Sequence, residues 1–207
     1  MDPVRLVSAL LAPPLCAACG RGCRAEAVLC TRCSRSLAAA RPLSAGGPPG
    51  VDRAWSSAPH ERVARALVGA LKFRRLLPVA EVMAERMHRL VPAHLLGGTI
   101  VSVPAAPARR RRRGFDPAGE LATALAARLG TEPVACLARR GSGHQVGRRR
   151  ADRIGHPPRI EPIADSPRSV LLIDDVLTTG ATLTACAAAL RAGGAKRIVA
   201  LTFTRRV

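Results

Sequence analysis

The sequence predicts an α/β fold in which a parallel sheet is flanked by helices, with a small zinc-binding region in front of it. Two observations carry this prediction. From residue 99 onward, short apolar runs alternate with helix-prone runs, which is typical of parallel strands joined by right-handed crossovers. Near the N-terminus, four cysteines form two Cys-x2-Cys pairs, a spacing typical of a zinc ribbon.

The N-terminal half is expected to be mainly helical. A short helix is predicted over residues 5–12, because two prolines end the apolar run there. Residues 41–50 are rich in proline and glycine and predict a linker. The spacing of the apolar residues that follow predicts a strand at 54–58 and helices over 60–71 and 77–90.

The C-terminal half is expected to supply the parallel sheet. Two polar, arginine-rich segments, 106–117 and 139–159, predict loops, and the second is long enough to close over a site. Because ligands bind at the carboxyl ends of parallel strands, we expect functional residues directly after strands. The predicted strands are 99–103, 134–137, 170–173 and 197–203, and the predicted helices are 118–129 and 183–191.

The chain is strongly basic. Its 33 basic and 14 acidic residues give a formal net charge of +19, and every basic residue except Lys72 and Lys196 is an arginine. Such a charge attracts polyanions, although genomic base content can also produce an alanine- and arginine-rich chain. No run approaches the roughly 18 apolar residues of a membrane span, and the N-terminus lacks the features of a signal peptide. We therefore expect a cytoplasmic protein with no membrane span.

Five of the seven cysteines lie between residues 16 and 33. Cys16 and Cys19 form one pair, Cys30 and Cys33 form the other, and together they can close a tetrahedral zinc site with four thiolate ligands. Such a site is structural, because four thiolates leave no open position for a substrate. Cys23 could replace one ligand or remain a free thiol. The alternative interpretation is a set of reduced cysteines without metal.

The most informative segment is residues 169–183. The apolar run Val170–Ile173 predicts a buried strand, and Asp174 and Asp175 follow it directly. A turn of small and hydroxylated residues, Thr178–Thr182, then precedes a helix-prone run. A strand, a loop and a helix N-terminus in this order form an anion site. The N–H groups there lack helical partners, and the helix dipole favours negative charge.

The paired acids restrict what this anion site can bind. A bare carboxylate repels a phosphate, so Asp174 and Asp175 are better suited to sugar hydroxyls, or to Mg2+ through water, beside the phosphate. Gly180 allows a positive φ or the close approach of a phosphate. The segment therefore indicates a phosphorylated sugar. The alternative, a strand that ends in an N-capping aspartate, explains only one of the two acids.

Residues 169–183 resemble the phosphoribosyl diphosphate (PRPP) motif of type I phosphoribosyltransferases. The whole chain resembles the ComF-type family, which is associated with competence and DNA uptake. Besides the cysteine pairs, the marks of this resemblance are Leu71-Lys72-Phe73, Val103-Pro104, Arg109, Arg113, Gly114, Phe115, Gln145 and Arg150. The chain departs from the family pattern at three places, which are Asp116-Pro117 in place of Asn-Gln, Arg75 in place of glycine, and the region of Gly155-His156 in place of an asparagine.

The resemblance implies a type I phosphoribosyltransferase-like core over residues 99–207. It implies a zinc-binding region and linker over 1–50, and a helical hood over 51–98. Asp174 and Asp175 are then the expected catalytic residues and bind the ribose hydroxyls of PRPP. Arg109 and Arg113 are the candidates for binding its diphosphate, together with Mg2+. The 5-phosphate is expected to bind the turn formed by Leu177, Thr178, Thr179, Gly180, Ala181 and Thr182.

Three functions are compatible with these features. The first is an enzyme that transfers ribose 5-phosphate from PRPP to an unidentified acceptor. The second is an accessory protein of DNA uptake, in which the arginine clusters 109–113 and 148–153 follow the phosphates of single-stranded DNA. The scarcity of aromatic residues argues against strong base stacking. The third is a sensor that binds PRPP without turnover, and it shares every sequence feature with the enzyme.

Overall fold

The computed structural model describes residues 14–140 and 158–206. The helix expected at 5–12 and most of the loop expected at 139–159, with Gln145 and Arg150, lie outside these residues. Within them, helices flank a central sheet that is mostly parallel. The predicted α/β fold class is therefore confirmed.

The bounds of the described elements are as follows. The strands are β1 (Leu43–Gly46), β2 (Arg53–Pro59), β3 (Thr99–Ser102), β4 (Leu137–Arg139), β5 (Ile160–Pro162), β6 (Ser169–Leu177) and β7 (Arg197–Arg205). The helices are α1 (Thr31–Ala38), α2 (Arg62–Arg74), α3 (Pro78–Leu90), α4 (Pro107–Arg113), α5 (Pro117–Arg128) and α6 (Ala181–Ala192), with a 3-10 turn at Ala93–Leu95.

Five strands form the central sheet in the order β1-β2-β7-β6-β3, and β4 pairs with β5 in a separate two-stranded sheet. The central sheet is parallel except at β1, which forms an antiparallel edge against β2. The register aligns both Ser56 of β2 and Asp174 of β6 with Thr202 of β7. The carboxyl ends of these three strands therefore lie side by side at one edge of the sheet.

Strand β6 is apolar on both faces. Within Val170–Ile173, alternate side chains pack against α2, α3 and α5 on one face and against α6 on the other. All four residues are fully buried, as expected of an interior parallel strand. The alternation continues into Asp174 and Asp175, so the two carboxylates leave the sheet on opposite faces.

The arginine run after β3 is helical, whereas the sequence predicted a loop over 106–117. Pro107 lies in the first turn of α4, where its fixed φ suits a helix start. The arginines that follow are good helix formers, and Gly114 ends α4 with a φ of 78°. Asp116 then caps α5 by accepting the Ala118 N–H at 3.1 Å. Helix α4 thus replaces most of the expected loop, and α5 corresponds to the helix predicted at 118–129.

The other differences concern strands. The expected linker at 41–50 contains β1, whose backbone groups are satisfied by pairing with β2. The strand expected at 134–137 lies at 137–139 instead. The strand expected at 170–173 continues to Leu177, because β7 pairs with it along that length. The central sheet contains β1 and β2, which precede residue 98, and β3, β6 and β7, which follow it. The sheet therefore crosses the predicted boundary between the hood and the core. The division into these regions stays a prediction.

A buried arginine ties the cysteine-rich region to the sheet. Arg86 on α3 is 3% exposed and donates to the Ala40 carbonyl at 2.5 Å and to the Ser57 carbonyl at 2.9 Å. Burial lowers the pKa of its guanidinium, and the two carbonyl oxygens offset part of the lost hydration. The segment after α1 is thereby held against β2. None of the described helices is both long enough and apolar enough to cross a membrane.

Candidate functional site

A cavity of about 480 Å³ opens at the carboxyl ends of β3 and β6. This is the edge at which the topology of a parallel sheet places ligand sites. Three carboxylates line the cavity, those of Asp116, Asp174 and Asp175. Six cationic side chains also line it, namely Arg65, Lys72, Arg109, Arg113, Arg139 and Arg206. The excess of positive charge favours an anionic ligand.

Asp175 is held by a lysine from the opposite half of the chain. Its carboxylate Oδ1 accepts a hydrogen bond from Lys72 Nζ at 2.6 Å. The Asp175 side chain is 5% exposed and that of Lys72 is 23% exposed, so the pair is shielded on the carboxylate side. Charge-assisted hydrogen bonds in such surroundings are stronger than those on an open surface. The pair fixes the orientation of Asp175 at the wall of the cavity.

Asp174 has different surroundings. It is half-buried, and its Oδ1 accepts the backbone N–H of Asp175 at 2.8 Å. Burial, followed by the negative charge of Asp175, raises the pKa of Asp174 well above its ordinary value, although Lys72 acts in the opposite direction. A hydroxyl donor or a cation that a ligand brings to this end of β6 would therefore stabilise the charged form of Asp174.

The predicted phosphate turn is only partly exposed to the cavity. Thr178 and Thr182 line it, and Thr179 and Ala181 are exposed to solvent. Leu177 is 4% exposed, and its carbonyl accepts the backbone N–H of Arg206 at 2.9 Å. The structure thus brings two hydroxyls of the turn beside the acids, while Leu177 serves to anchor the C-terminal end of β7.

Gly180 lies where the conformation of the backbone requires glycine. It has a φ of 80° and precedes the first residue of α6. A Cβ atom added there would lie 2.8 Å from the Cβ of Pro48. The sequence suggested that this glycine allows a positive φ or the close approach of a phosphate, and the structure shows the positive φ. Its close neighbour in the structure is the segment between β1 and β2, which packs against the start of α6.

Helix α4 sorts the five consecutive arginines into two sets. Arg109 and Arg113 are four residues apart, so they share a face of the helix, and both line the cavity. Arg110, Arg111 and Arg112 are exposed and are not part of the cavity wall. The two arginines singled out in the sequence are thus the two that the helix directs to the site.

Two cation–π contacts join the end of α2 to the end of α4. The guanidinium of Arg113 lies 5.4 Å from the ring centre of Phe73, and that of Arg75 lies 5.9 Å from the ring centre of Phe115. Burial lowers the pKa of Arg113, followed by the nearby charge of Arg109. The first contact positions Arg113 at the rim of the cavity. The second gives a structural role to Arg75, which replaces a usual glycine of the family and has a φ of 53°.

Asp116, another departure from the family pattern, braces the loop after β3. One carboxylate oxygen accepts the Ala105 N–H at 2.9 Å, and the other accepts the Ala118 N–H at 3.1 Å. Asp116 therefore holds the residues that follow Val103 against the start of α5. Since it also lines the cavity, its negative charge lies within the site.

Sequence reasoning missed several residues of the cavity. Lys72 was named only as a mark of the family resemblance, because its partner Asp175 is 103 residues away and no local pattern predicts a contact at that separation. His60 follows β2 directly, and Arg206 follows β7. Both could have been found by asking which polar residues follow predicted strands. Arg65 on α2 and Arg139 on β4 complete the set of missed residues.

The four paired cysteines form a cluster near the N-terminal end of the described residues. The sulfur atoms of Cys16, Cys19, Cys30 and Cys33 all lie within 4.8 Å of one another, and Cys19 and Cys30 are 3.8 Å apart. A zinc ion with Zn–S bonds of about 2.3 Å requires sulfur–sulfur separations of about 3.8 Å in a tetrahedron. The cluster could therefore hold a zinc ion.

The thiols of this cluster differ in the direction of their pKa shifts. Burial raises the pKa of Cys33, whereas backbone N–H groups offset burial at Cys16 and lower its pKa to about 6. Cys23 lies outside the cluster, and its sulfur is within hydrogen-bond distance of two carbonyl oxygens, those of Pro14 at 3.4 Å and Ala27 at 3.1 Å. In the structure, Cys23 therefore does not take the place of one of the four clustered cysteines.

Comparison with known proteins identifies a phosphoribosyl transferase domain in the part of the chain that carries the cavity acids. The phosphoribosyl transferase domain family matches residues 111–206. The DNA utilization protein YhgH of Salmonella typhimurium is 29% identical over 200 residues, which cover 89% of this chain and 87% of that protein. The competence protein ComFC of Streptococcus pneumoniae is 32% identical over 107 residues, which cover 51% of this chain and 47% of that protein. The phosphoribosyl transferase domain match behind a four-cysteine cluster, together with these relatives, supports a ComF-type protein.

Proposed function

We propose that the cavity binds PRPP or a closely related phosphosugar, and that the protein transfers ribose 5-phosphate from it to an acceptor. The observation that carries this proposal is that three acids, two threonines and six cations line one cavity of about 480 Å³. A simple anion needs no acids in its site. A ligand with phosphate groups at both ends of a diol accounts for both kinds of group.

The charges suggest how such a ligand would lie. We place its 5-phosphate against Thr178 and Thr182 at the start of α6, where free N–H groups and the helix dipole favour negative charge. The ribose hydroxyls donate to Asp174 and Asp175. The diphosphate extends toward Arg109 and Arg113, since guanidinium groups pair with phosphate oxygens in a bidentate manner.

Transfer in this arrangement needs no covalent intermediate on the protein. The bond from C1 to the diphosphate oxygen breaks, its electron pair leaves with pyrophosphate, and the acceptor forms a new bond to C1. Arg109 and Arg113 stabilise the charge that develops on pyrophosphate, and the turn and the acids hold the ribose in place. Mg2+ bound to the diphosphate would supply further charge neutralisation.

Isothermal titration calorimetry with PRPP tests the proposal, and the two faces of α4 offer a matched control. Arg113→Gln removes a cavity arginine and should weaken binding about tenfold or more, as expected for a lost charge-assisted hydrogen bond. Arg111→Gln makes the same chemical change on the exposed face and should leave binding unchanged. Equal effects of the two substitutions would mean that only net charge matters, which contradicts the proposed site.

A second candidate function is binding of nucleic acid. It is favoured by the exposed arginines Arg110, Arg111 and Arg112 of α4 and by Phe73, which is 71% exposed and contacts Arg113 of the same helix. Two relatives carry names that refer to DNA utilization and competence. The three arginines are not part of the cavity wall, and Phe73 lies at its rim, so an accessory protein that binds DNA could also keep a phosphosugar site.

The remaining elements of the proposal concern metals and location. We propose that the four-cysteine cluster binds a structural Zn2+, because its sulfur atoms have the spacing of a tetrahedral site. We propose that Mg2+ accompanies PRPP through the diphosphate. A location in the cytoplasm stays a prediction.

A further inference from the structure

His60 is a wall residue of the cavity that lies outside the matched domain. It directly follows β2, lines the cavity, and is half-buried. The phosphoribosyl transferase match begins at residue 111, so His60 is contributed by the part of the chain that precedes it. Its Nδ1 lies 2.8 Å from the hydroxyl oxygen of Thr204 on β7.

The partners of Thr204 assign the tautomer of His60. The Thr204 hydroxyl also lies 3.3 Å from the backbone carbonyl of Asp175, and a carbonyl can only accept. A hydroxyl has one proton to donate. The one arrangement that satisfies both hydrogen bonds sends this proton to Asp175 and makes Nδ1–H the donor to Thr204. Nε2 is then unprotonated and carries a free lone pair, and it has no hydrogen-bond partner among residues 14–140 and 158–206.

Burial and the surrounding charges favour the neutral form of this ring. Burial lowers the pKa of His60, followed by the positive charges of Arg206 after β7 and of Lys72 and Arg65 on α2. Asp175 on β6 acts in the opposite direction and is outweighed. A neutral imidazole with a bare Nε2 is therefore favoured in this cavity, whose other basic side chains are arginines and a lysine.

We propose that His60 recognises the acceptor and takes its proton. This inference rests on the proposed function and deepens it, because it names the acceptor class as a molecule with an N–H or O–H at the reacting atom. The acceptor nitrogen or oxygen bonds to C1 as pyrophosphate leaves with the electron pair of the broken C1–O bond. The proton of the acceptor moves to Nε2 of His60, and solvent then removes it. Thr204 is a positioning residue, since it holds the ring through Nδ1.

Nitrogen-15 NMR of the imidazole rings tests the assignment without any turnover. In the histidine-labelled full-length protein we expect His60 to be protonated on Nδ1 and neutral at pH 7, with a pKa below its ordinary value. His88 and His94 are exposed and serve as reference signals. Thr204→Val should release the ring and change its tautomer. Thr202→Val removes a neighbouring buried hydroxyl that does not contact His60, and it should leave the ring unchanged.

Kinetics supply a second readout. His60→Asn keeps a side-chain amide in place of the Nδ1 donor and lacks the base. Calorimetry should find PRPP binding within about twofold of the parent, because His60 addresses the acceptor. Release of pyrophosphate from PRPP with adenine, guanine, hypoxanthine or uracil as the acceptor probe should fall by about 10²–10⁴ in kcat. The KM for PRPP should not change.

The two proposals fail in different ways. Absence of PRPP binding by the parent protein would overturn the proposed function. A His60 protonated on Nε2, or cationic at pH 7, in a protein that does bind PRPP would overturn only the role of His60. Nucleobase-dependent pyrophosphate release that survives His60→Asn would also overturn that role.

Discussion

Lys72 on α2 and Asp175 on β6 form an ion pair of 2.6 Å at the wall of the cavity. The pair joins the helical segment that precedes β3 to the strand that carries the acids. Asp175 is almost fully buried, so its charge depends on this lysine for compensation. The same lysine adds positive charge to the position where an anionic ligand would lie. One side chain thus contributes to both the stability of the fold and the electrostatics of the site.

Lys72→Met should destabilise the protein and weaken PRPP binding. Removing one partner of a shielded pair leaves an uncompensated carboxylate, and we expect a loss of about 2 kcal/mol in the free energy of unfolding, since Lys72 is partly hydrated. Chemical denaturation measures the change. Lys196→Met at an exposed position is the matched control, and adding Asp175→Asn should restore part of the stability. No restoration by the second substitution would show that the loss comes from packing alone.

Asp174→Asn should stabilise the protein at neutral pH. Because the pKa of Asp174 is raised in the folded state, the folded protein binds a proton there more tightly than the unfolded chain does. Stability is therefore lost as the pH rises from the ordinary value of 3.8 through the raised pKa. The gain from Asn should be roughly 1 kcal/mol at pH 7 and should shrink toward pH 4. A gain that does not vary with pH would contradict the raised pKa.

Gly180→Ala should destabilise the protein by more than its backbone conformation explains. The left-handed conformation alone costs a non-glycine residue about 1 kcal/mol. At Gly180 the added Cβ would also lie 2.8 Å from Pro48. Gly130→Ala is the matched control, because that glycine has a φ of 65° and no neighbouring atom within 4 Å of the added Cβ. Equal losses in thermal unfolding would rule out a role for the Pro48 contact.

The exposed face of α4 should govern any binding to nucleic acid. Replacing Arg110, Arg111 and Arg112 by Gln should reduce the slope of log affinity against log salt for single-stranded DNA by about 2, if each arginine meets one phosphate. PRPP binding should not change. Fluorescence anisotropy over a range of salt concentrations measures the slope. If the slope is unaltered, these three side chains do not contact the DNA backbone.

Metal removal should unfold the cysteine-rich region. The binding energy of a structural zinc site is folding energy, on the order of 10 kcal/mol. Cys33→Ser should therefore abolish zinc binding in metal analysis and reduce the solubility of the protein. Cys23→Ser is the control, because Cys23 bonds to backbone carbonyls outside the cluster. Full zinc content in the Cys33 variant would exclude the four-sulfur site.

The sequence alone determined those features that depend on local pattern. The run Val170–Ile173 identified a buried strand, because a strand enclosed on both faces must be continuously apolar. The Cys-x2-Cys spacing identified the four-sulfur cluster, because two tight turns suffice to converge two pairs of thiols. The parallel sheet followed from the alternation of strands and helices, and the position of the site followed from that sheet.

Only the tertiary structure decided which side chains meet. The contact of Lys72 with Asp175 and that of His60 with Thr204 span 103 and 144 residues, and such contacts depend on how helices and strands pack rather than on local preference. Helix α4 is different, because Pro107 and Gly114 are local signals for its start and end that the sequence analysis interpreted as parts of a loop. That helix directs Arg109 and Arg113 to the cavity, because residues four apart lie on one helical face. In an extended loop, these two side chains would not be separated from the three arginines between them.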